Sequence, residues 1–221
     1  MGAVRGWSRL APLTGVVFAG LIAAAFAVGG NTPNSDASAQ RVVSFYEAHR
    51  HSQIASALLI AYAVLFGLFF GAALRSYLRA RSDSDGVITL GFAGVVVFGI
   101  GAGTLAGLNF AAADVPGKIA ATAEQSLNVL QNDVFFVFLI GLAVFLLGNG
   151  LAIVHTAALP RWLGWVSVAL GIVAVTPIGW FVLYGLMVWL VVVSVLVFVR
   201  QHADQPSSTT VPTAPAATSP T

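Results

Sequence analysis

The side chains in this sequence that could do chemistry are four histidines and a few neutral polar groups inside long apolar runs. His49 and His51 are close in sequence, but helix positions i and i+2 point about 200° apart and make a poor metal pair. His155 is predicted about a membrane thickness away, which excludes a haem held between the two places. Because the chain has no cysteine, thiol catalysis and zinc–thiolate sites are excluded. We therefore expect no catalytic residue, no metal, no cofactor and no enzymatic activity.

Five polar or aromatic side chains lie deep within the predicted membrane spans. Asn149, Ser167 and Ser194 fall at similar distances from one end of three spans, and Trp189 and Tyr62 lie near mid-depth in two spans. A buried indole N–H needs an acceptor, and Tyr62 is the candidate acceptor for Trp189. The set is either a belt of interhelical hydrogen bonds, each worth about 0.6 kcal/mol, or the lining of a small pocket. A continuous cavity lined by Tyr62, Asn149 and Trp189 would favour binding of a small molecule.

Three glycines recur every four residues in the third apolar run: Gly99, Gly103 and Gly107. Glycines at this spacing form a groove that lets another helix backbone approach closely. The neighbouring helix belongs either to the same chain or to a second copy. Span three is therefore the candidate seam of a homo-oligomer.

The elements that position these residues are membrane helices. Hydrophobic residues make up 58% of the 221 residues and charged residues 8%, whereas soluble domains are about one quarter charged. The stretch 162–199 is uncharged, and as one helix it would be about 57 Å long, nearly twice the bilayer core. The sequence Thr-Pro-Ile-Gly at 176–179 offers a break. The stretch is thus two spans joined by a tight turn.

The fold predicted is an all-α transmembrane bundle of six spans. The spans are expected at 10–29, 53–74, 87–113, 134–159, 162–176 and 179–199. They form one membrane domain, 1–202. Residues 203–221 are rich in Pro, Thr, Ser and Ala and have no apolar periodicity, so a disordered cytoplasmic tail is expected.

Two loops on the outer side carry helical patterns. Ser38 or Asp36 is positioned to cap the first helix, and both loops place apolar residues on one helix face. The residues concerned are Val42, Phe45, Tyr46 and His49 in the first loop and Ile119, Ala123, Leu127 and Leu130 in the second. We expect two short interfacial helices with the apolar face towards the membrane. The alternative is a pair of lids over an outward-facing vestibule.

Basic residues near the span ends predict the orientation. Seven lie on the side of the termini (Arg5, Arg9, Arg75, Arg79, Arg81, Arg161 and Arg200) and three on the other (Arg41, Arg50 and Lys118). Both termini are therefore expected to be cytoplasmic. An alternative treats the first run as a cleaved signal peptide, which would leave five spans, although a run of about 20 apolar residues is long for one.

A resemblance to a known family is carried by three segments: TPNSDASAQRVVSFYEAHR from residue 32, LPRWLGW from residue 159 and WLVVVSVLVFVR from residue 189. They resemble a family of uncharacterised bacterial multi-spanning membrane proteins, over roughly residues 10–200. The resemblance implies six helical spans, an outer helix after span one and a place in the bacterial cell membrane. It implies no activity and no functional residues.

Charge distribution narrows the function. No Asp, Glu, Lys or Arg falls in the middle of a predicted span, which argues against proton-coupled transport. The formal charge of +2 is too small to indicate nucleic acid. The expected partner is the lipid bilayer, with a homo-oligomer and a protein partner as further expectations. We expect a non-enzymatic role in assembly, sensing or envelope organisation, and as the alternative a facilitator or export component for a small apolar molecule.

Overall fold

The computed structural model describes residues 10–82 and 85–203, and all regular structure in this part of the chain is helical. An all-α bundle is therefore confirmed. The helices are α1 Thr14–Gly29, α2 Ala39–Arg79, α3 Asp85–Asp114, α4 Ala121–Asp133, α5 Phe135–Thr156, α6 Arg161–Ala174 and α7 Val182–Ala203. Short 3-10 turns, Ala11–Leu13 and Gly179–Phe181, precede α1 and α7. The predicted tail beyond Ala203, and Arg5 and Arg9 of the signal-peptide alternative, lie outside the described residues.

The predicted count of six membrane spans is not exact. Five helical segments are long and apolar enough to cross a membrane: Ala11–Gly29, Ala39–Arg79, Asp85–Asp114, Ala121–Thr156 and Gly179–Ala203. The remaining apolar helix, α6, has 14 residues and is about 21 Å long at the usual helical rise, short of a bilayer core of about 30 Å.

Although α6 is short, the segments on either side of it contact opposite ends of the bundle. Just before it begins, the carbonyl of Ala158 accepts hydrogen bonds from Tyr77 and Arg200. Just after it ends, Trp180 packs edge-on against Phe26 of α1 and Phe138 of α5. We call the Ala158 side the far end. The opposite side carries residues 30–49 and 114–133, which we call the cap.

The first predicted surface helix forms the start of α2. Ser38 caps it, and the Ser38 hydroxyl accepts a hydrogen bond from the backbone N–H of Arg41 at 3.4 Å, so one of the two expected caps is confirmed. Two helices meet at a kink at His49, where φ is −113° and ψ is 17°, and together they make up the 41 residues of α2. A short helix in the first loop is therefore confirmed, and it joins the span directly because no Pro or Gly lies between them.

The closest helix packing in the bundle joins α3 to α5, and it uses glycines. Along each helix the facing positions are spaced by three, four and three residues, the spacing of a heptad seam. The pairs are Gly91 with Gly148, Gly94 with Phe145, Phe98 with Gly141, and Gly101 with Phe138. A Cβ added at Gly94, Gly101, Gly141 or Gly148 would lie 2.5 Å or less from the backbone of the opposite helix. A Cβ added at Gly91 would lie 2.6 Å from the Asn149 side chain. The two backbones are therefore in van der Waals contact.

The predicted glycine groove behaves differently. A Cβ at Gly99 would meet the side chains of Val64 and Leu68 of α2 at 3.3 and 3.8 Å, and the first of these is a tight contact, although with a side chain and not with backbone. A Cβ at Gly103 or Gly107 would meet nothing within 4 Å. Within the described chain, no helix therefore lies against Gly103 and Gly107, and close backbone approach occurs at Gly91, Gly94 and Gly101 instead.

Candidate functional site

A cavity of about 1350 Å³ lies in the half of the bundle that carries the cap. Its walls come from α1, α2, α3, α5, the start of α7 and the turn between α6 and α7. Known small-molecule sites measure roughly 300–1,000 Å³. This cavity is therefore large enough for a lipid-sized molecule.

Neutral polar side chains surround the cavity on the side of the cap, and we call them the polar rim. The rim residues are Asn31, Thr32, Asn34, Gln53, Ser56, Asn109, Gln131, Asn132 and Thr176. Over the described residues, the cavity lining includes no Asp, Glu, Lys, Arg or His. The rim can donate and accept hydrogen bonds, but it supplies no formal charge.

The opposite part of the cavity, which we call the floor, is apolar and largely aromatic. It is lined by Phe18, Phe98, Phe138, Leu186 and Met187. Beneath it lies a void of about 20 Å³ lined entirely by apolar residues and glycine, including Phe145 and Leu190. Among the described residues, the cavity therefore ends inside the bundle.

The cavity opens in two directions. Asn31 and Asn34 of the rim are exposed at the cap. On the side of the bundle, Phe136 and Tyr184 line the cavity and are 63% and 62% exposed. An apolar residue exposed on a membrane helix faces lipid, so this second opening leads into the bilayer. Trp180 also lines the cavity, and its ring contacts those of Phe26 and Phe138.

A chain of hydrogen bonds fixes the rim to the cap. The Tyr46 hydroxyl donates to Gln131 Oε1 at 3.0 Å, and Gln131 Nε2 donates to Asn109 Oδ1 at 3.4 Å. Asn109 Nδ2 donates to the carbonyl of Gln53 at 3.3 Å, and Gln53 Nε2 donates to the carbonyl of Gly29 at 2.6 Å. The chain joins α2, α4, α3 and α1, so three rim residues, Gln53, Asn109 and Gln131, form one connected polar unit.

The cap helix α4 turns its polar face inwards. Asn128 is buried and donates to the carbonyls of Pro33 and Asn34 at 3.1 and 3.2 Å. On the opposite face, Leu130 is exposed, and so is Ile119 just before the helix, as expected of apolar residues turned towards a membrane surface. Because Gln131 and Asn132 of this helix also line the cavity, α4 forms part of its cover, in agreement with the lid alternative.

A carboxyl group is buried in the cap. Glu124 of α4 is 0% exposed, and neither carboxyl oxygen has a hydrogen-bond partner. Burial raises the pKa of this carboxyl, and the negative charge of Glu47 raises it further. The phenol of Tyr46 has its pKa raised in turn by burial and by Glu124. A carboxyl without donors in such a place is most stable in its neutral form.

The three residues of the predicted polar belt lie deeper and do not bond to one another. Asn149 Nδ2 donates to the carbonyl of Phe145 in its own helix at 2.8 Å, and its side chain lies against Gly91. Ser167 donates to the carbonyl of Leu146 at 2.7 Å and so joins α6 to α5. Ser194 is buried without a partner. A connected belt is therefore not formed, because backbone carbonyls satisfy two of the three groups.

The predicted pairing of Trp189 with Tyr62 is also wrong. Trp189 is 2% exposed and its indole N–H donates to the carbonyl of Leu163 at 3.3 Å, while its ring packs edge-on against Phe145. Tyr62 is 58% exposed and faces away from the bundle. Like Asn149, Ser167 and Ser194, neither residue lines the cavity.

Sequence reasoning missed the residues that form the rim. Gln53, Asn109 and Gln131 lie at the ends of three apolar runs, where a polar residue is unremarkable on its own. A usable signal was present in α4, where Glu124, Asn128, Gln131 and Asn132 recur at helical spacing and form a polar stripe. That stripe indicates a polar face with something polar to pack against.

Comparison of the chain with protein-family models, curated proteins and solved structures finds no match in any of the three. The family resemblance seen in the sequence therefore stays a prediction, and the cavity is the feature that indicates a function.

Proposed function

We propose that this protein is a non-enzymatic membrane protein that binds a neutral amphiphile of lipid size and passes it between the bilayer and the membrane surface at the cap. The observation that carries the proposal is the cavity itself, with an uncharged polar rim at one end and an aromatic floor at the other. This function is closest to the expected alternative of a facilitator for an apolar molecule.

The composition of the lining selects the head group. A charged head group withdrawn from water needs an opposite charge or several strong hydrogen bonds. The rim offers amides and hydroxyls, among them Gln53, Asn109 and Thr176. These groups suit hydroxyl, carbonyl or amide functions of a ligand. The floor suits its hydrocarbon part, because burying apolar area is favourable by about 25 cal/mol per Å².

The two openings suggest the route. An amphiphile dissolved in the bilayer can enter beside Tyr184 with its hydrocarbon part first in contact with the floor, while its head group reaches the rim. From the rim, the exposed Asn31 and Asn34 lead to the surface at the cap. Because the floor ends within the bundle, the proposal is transfer within one half of the membrane and not passage from side to side.

Filling the cavity is the direct test of ligand binding. Leu105 lines the cavity, and Leu105→Trp places a larger ring in the space that a ligand would occupy. We expect the amount of a specific neutral amphiphile that co-purifies per mole of protein to fall at least about tenfold, equivalent to about 1.4 kcal/mol of binding free energy. Gentle extraction followed by mass spectrometry of the bound lipids measures this.

The matched control is Leu58→Trp, because Leu58 is in a neighbouring helix and is 46% exposed to the surroundings of the bundle. This variant should keep the ligand. Equal retention by both variants, or recovery of only the bulk membrane lipids from each, would contradict the proposed cavity ligand. Thermal unfolding of both variants checks that the loss is not a loss of fold.

The orientation proposed is with both termini in the cytoplasm and the cap outside the plasma membrane of a bacterium. The excess of basic residues towards the far end supports it. Since the chain has no cysteine, single substitutions can report the side. Ser38→Cys is expected to react with an impermeant thiol reagent in intact cells and Ser82→Cys only after lysis. The opposite pattern would reverse the orientation.

Association with other proteins stays a prediction. Gly103 and Gly107 leave an open strip on α3, which supports the expected homo-oligomer through span three. A strictly monomeric mass in mild detergent and in nanodiscs would count against it. The expected assembly or sensing role through a different protein partner is compatible with a bound amphiphile as its signal.

A further inference from the structure

We propose that the cap is a proton-sensitive lid over the cavity and that Glu124 is the group that binds the proton. The inference rests on the proposed function, because it concerns access to the same cavity. In the structure α4 is hydrogen-bonded down onto residues 33–37, an arrangement that we call closed, and Glu124 is buried in it without a single hydrogen-bond donor.

The geometry couples Glu124 to the cavity through one helix. Glu124 lies in the first turn of α4, and Gln131 and Asn132 of the cavity wall lie about two turns further along. The side chains that hold α4 down are neutral amides. In addition to Gln131, Gln125 donates to the carbonyl of Ala37, and Asn132 donates to the carbonyl of Pro33. No basic group is bonded to Glu124 within the described residues. A charge on Glu124 therefore has no hydrogen bond or ion pair to offset it while the lid is closed.

The charged and titratable groups around Glu124 do not favour its ionised form. From α2, Tyr46 and Glu47 face it, and Glu47 is negative at neutral pH. From α3, Asp114 is exposed and already paired with Arg50 at 2.6 Å and Lys118 at 2.8 Å. The loop that packs on the start of α4 carries Asp36, which is exposed. The near end of α5 contributes only apolar residues.

The direction of the pH effect follows from these surroundings. Burial and Glu47 raise the pKa of Glu124 in the closed lid above its value in an open, hydrated one. The closed lid therefore binds the proton more tightly. Its stability is complete below the open-state pKa and decreases as pH rises towards the closed-state pKa. Acid closes the lid, and higher pH opens it.

A buried cysteine under the lid can report opening. Ala113 is 0% exposed and packs with Val42 and Tyr46 in the core of the cap. In the full-length protein with Ala113→Cys, we expect the rate of modification by a thiol reagent to rise about tenfold or more between about pH 5 and about pH 8. Each rate is divided by that of Ser38→Cys, which is exposed, to remove the pH dependence of the thiol reaction itself.

Glu124→Gln should abolish this rise and keep the normalised rate low at every pH. Asp133→Asn, an equivalent change at an exposed position of the same helix, should leave the rise intact. If Glu124→Gln does not fold, Glu47→Gln supplies the test, because removing this negative charge makes the ionised Glu124 less costly in the closed lid and should make the rise in rate smaller. A flat profile in the parent, or an unchanged rise in Glu47→Gln when Glu124→Gln is lost, would overturn the proposal.

The thiol measurement requires no ligand. A lid that responds to pH in a protein that binds no amphiphile would remove the proposed function alone. Retained amphiphile binding with a lid that does not respond would remove the present inference alone.

Discussion

Gly141→Ala is expected to destabilise the bundle by about 3 kcal/mol, at the upper end of the range for overpacked cores. The added methyl group would lie 2.6 Å from Cα of Phe98 and closer still to its backbone nitrogen. A flexible side chain could move aside, but a backbone cannot, so α3 and α5 must separate along the whole seam. Thermal unfolding in detergent and the yield of monodisperse protein measure the effect.

Gly103→Ala is the matched control, since it makes the same change in α3, where nothing lies within 4 Å. Alanine is a better helix former than glycine by about 1 kcal/mol, so this variant should be neutral or slightly more stable. If both variants unfolded alike, the α3–α5 seam would not be the close contact that the structure shows.

Trp189→Ala is expected to cost about 3–5 kcal/mol, the usual range for removing a buried aromatic side chain. The substitution removes the edge-on contact with Phe145 and the hydrogen bond to the carbonyl of Leu163, which together attach α7 to α5 and α6. The same unfolding measurement applies. Trp189→Phe keeps an aromatic ring but leaves the Leu163 carbonyl without its donor, so a smaller loss is expected.

Trp165→Ala serves as the comparison, because Trp165 is 59% exposed. It should change the unfolding temperature little. Trp189 lines neither cavity, so the folded fraction of the Trp189→Phe variant should bind the amphiphile as the parent does. Loss of ligand without loss of stability would show that Trp189 is part of the binding site instead.

The two halves of the bundle are packed differently, and the difference suits the proposed function. Along the α3–α5 seam, glycines allow backbone contact, and the void below the cavity measures only about 20 Å³. Near the cap, α1, α3, α5 and α7 leave a cavity of about 1350 Å³. The closely packed half supplies stability, which lets the other half remain open to a ligand.

Most of the fold was readable from the sequence. The apolar runs predicted the ends of five helices to within about four residues, such as 87–113 against Asp85–Asp114 for α3. They did so because only a helix satisfies its own backbone in lipid. The break at Thr176 to Gly179 and the cap at Ser38 were also predicted correctly, since proline, glycine and serine act on local backbone geometry. The number of spans was less certain, because α6 is too short for composition alone to decide.

Only the tertiary structure decided which side of each helix is buried in the bundle. A span that is apolar all round carries no periodic signal to show which side is buried. Trp189 and Tyr62 look alike in the sequence, yet one is in the core and the other faces outwards. Equally, Gly99, Gly103 and Gly107 have the expected spacing, but Gly94 and Gly101 meet Phe145 and Phe138, because shape complementarity across α3 and α5 selected that face.

The cavity and its rim belong to the tertiary structure as well. Gln53, Asn109 and Gln131 come from three helices, and each is an ordinary polar residue at the end of an apolar run. They become one hydrogen-bonded unit only when α4 folds over the ends of α2 and α3. Local chemistry in the sequence thus determined where helices begin and end and that they belong in a membrane. Packing between distant segments decided which side chains meet, because that depends on surfaces that no single stretch of sequence contains.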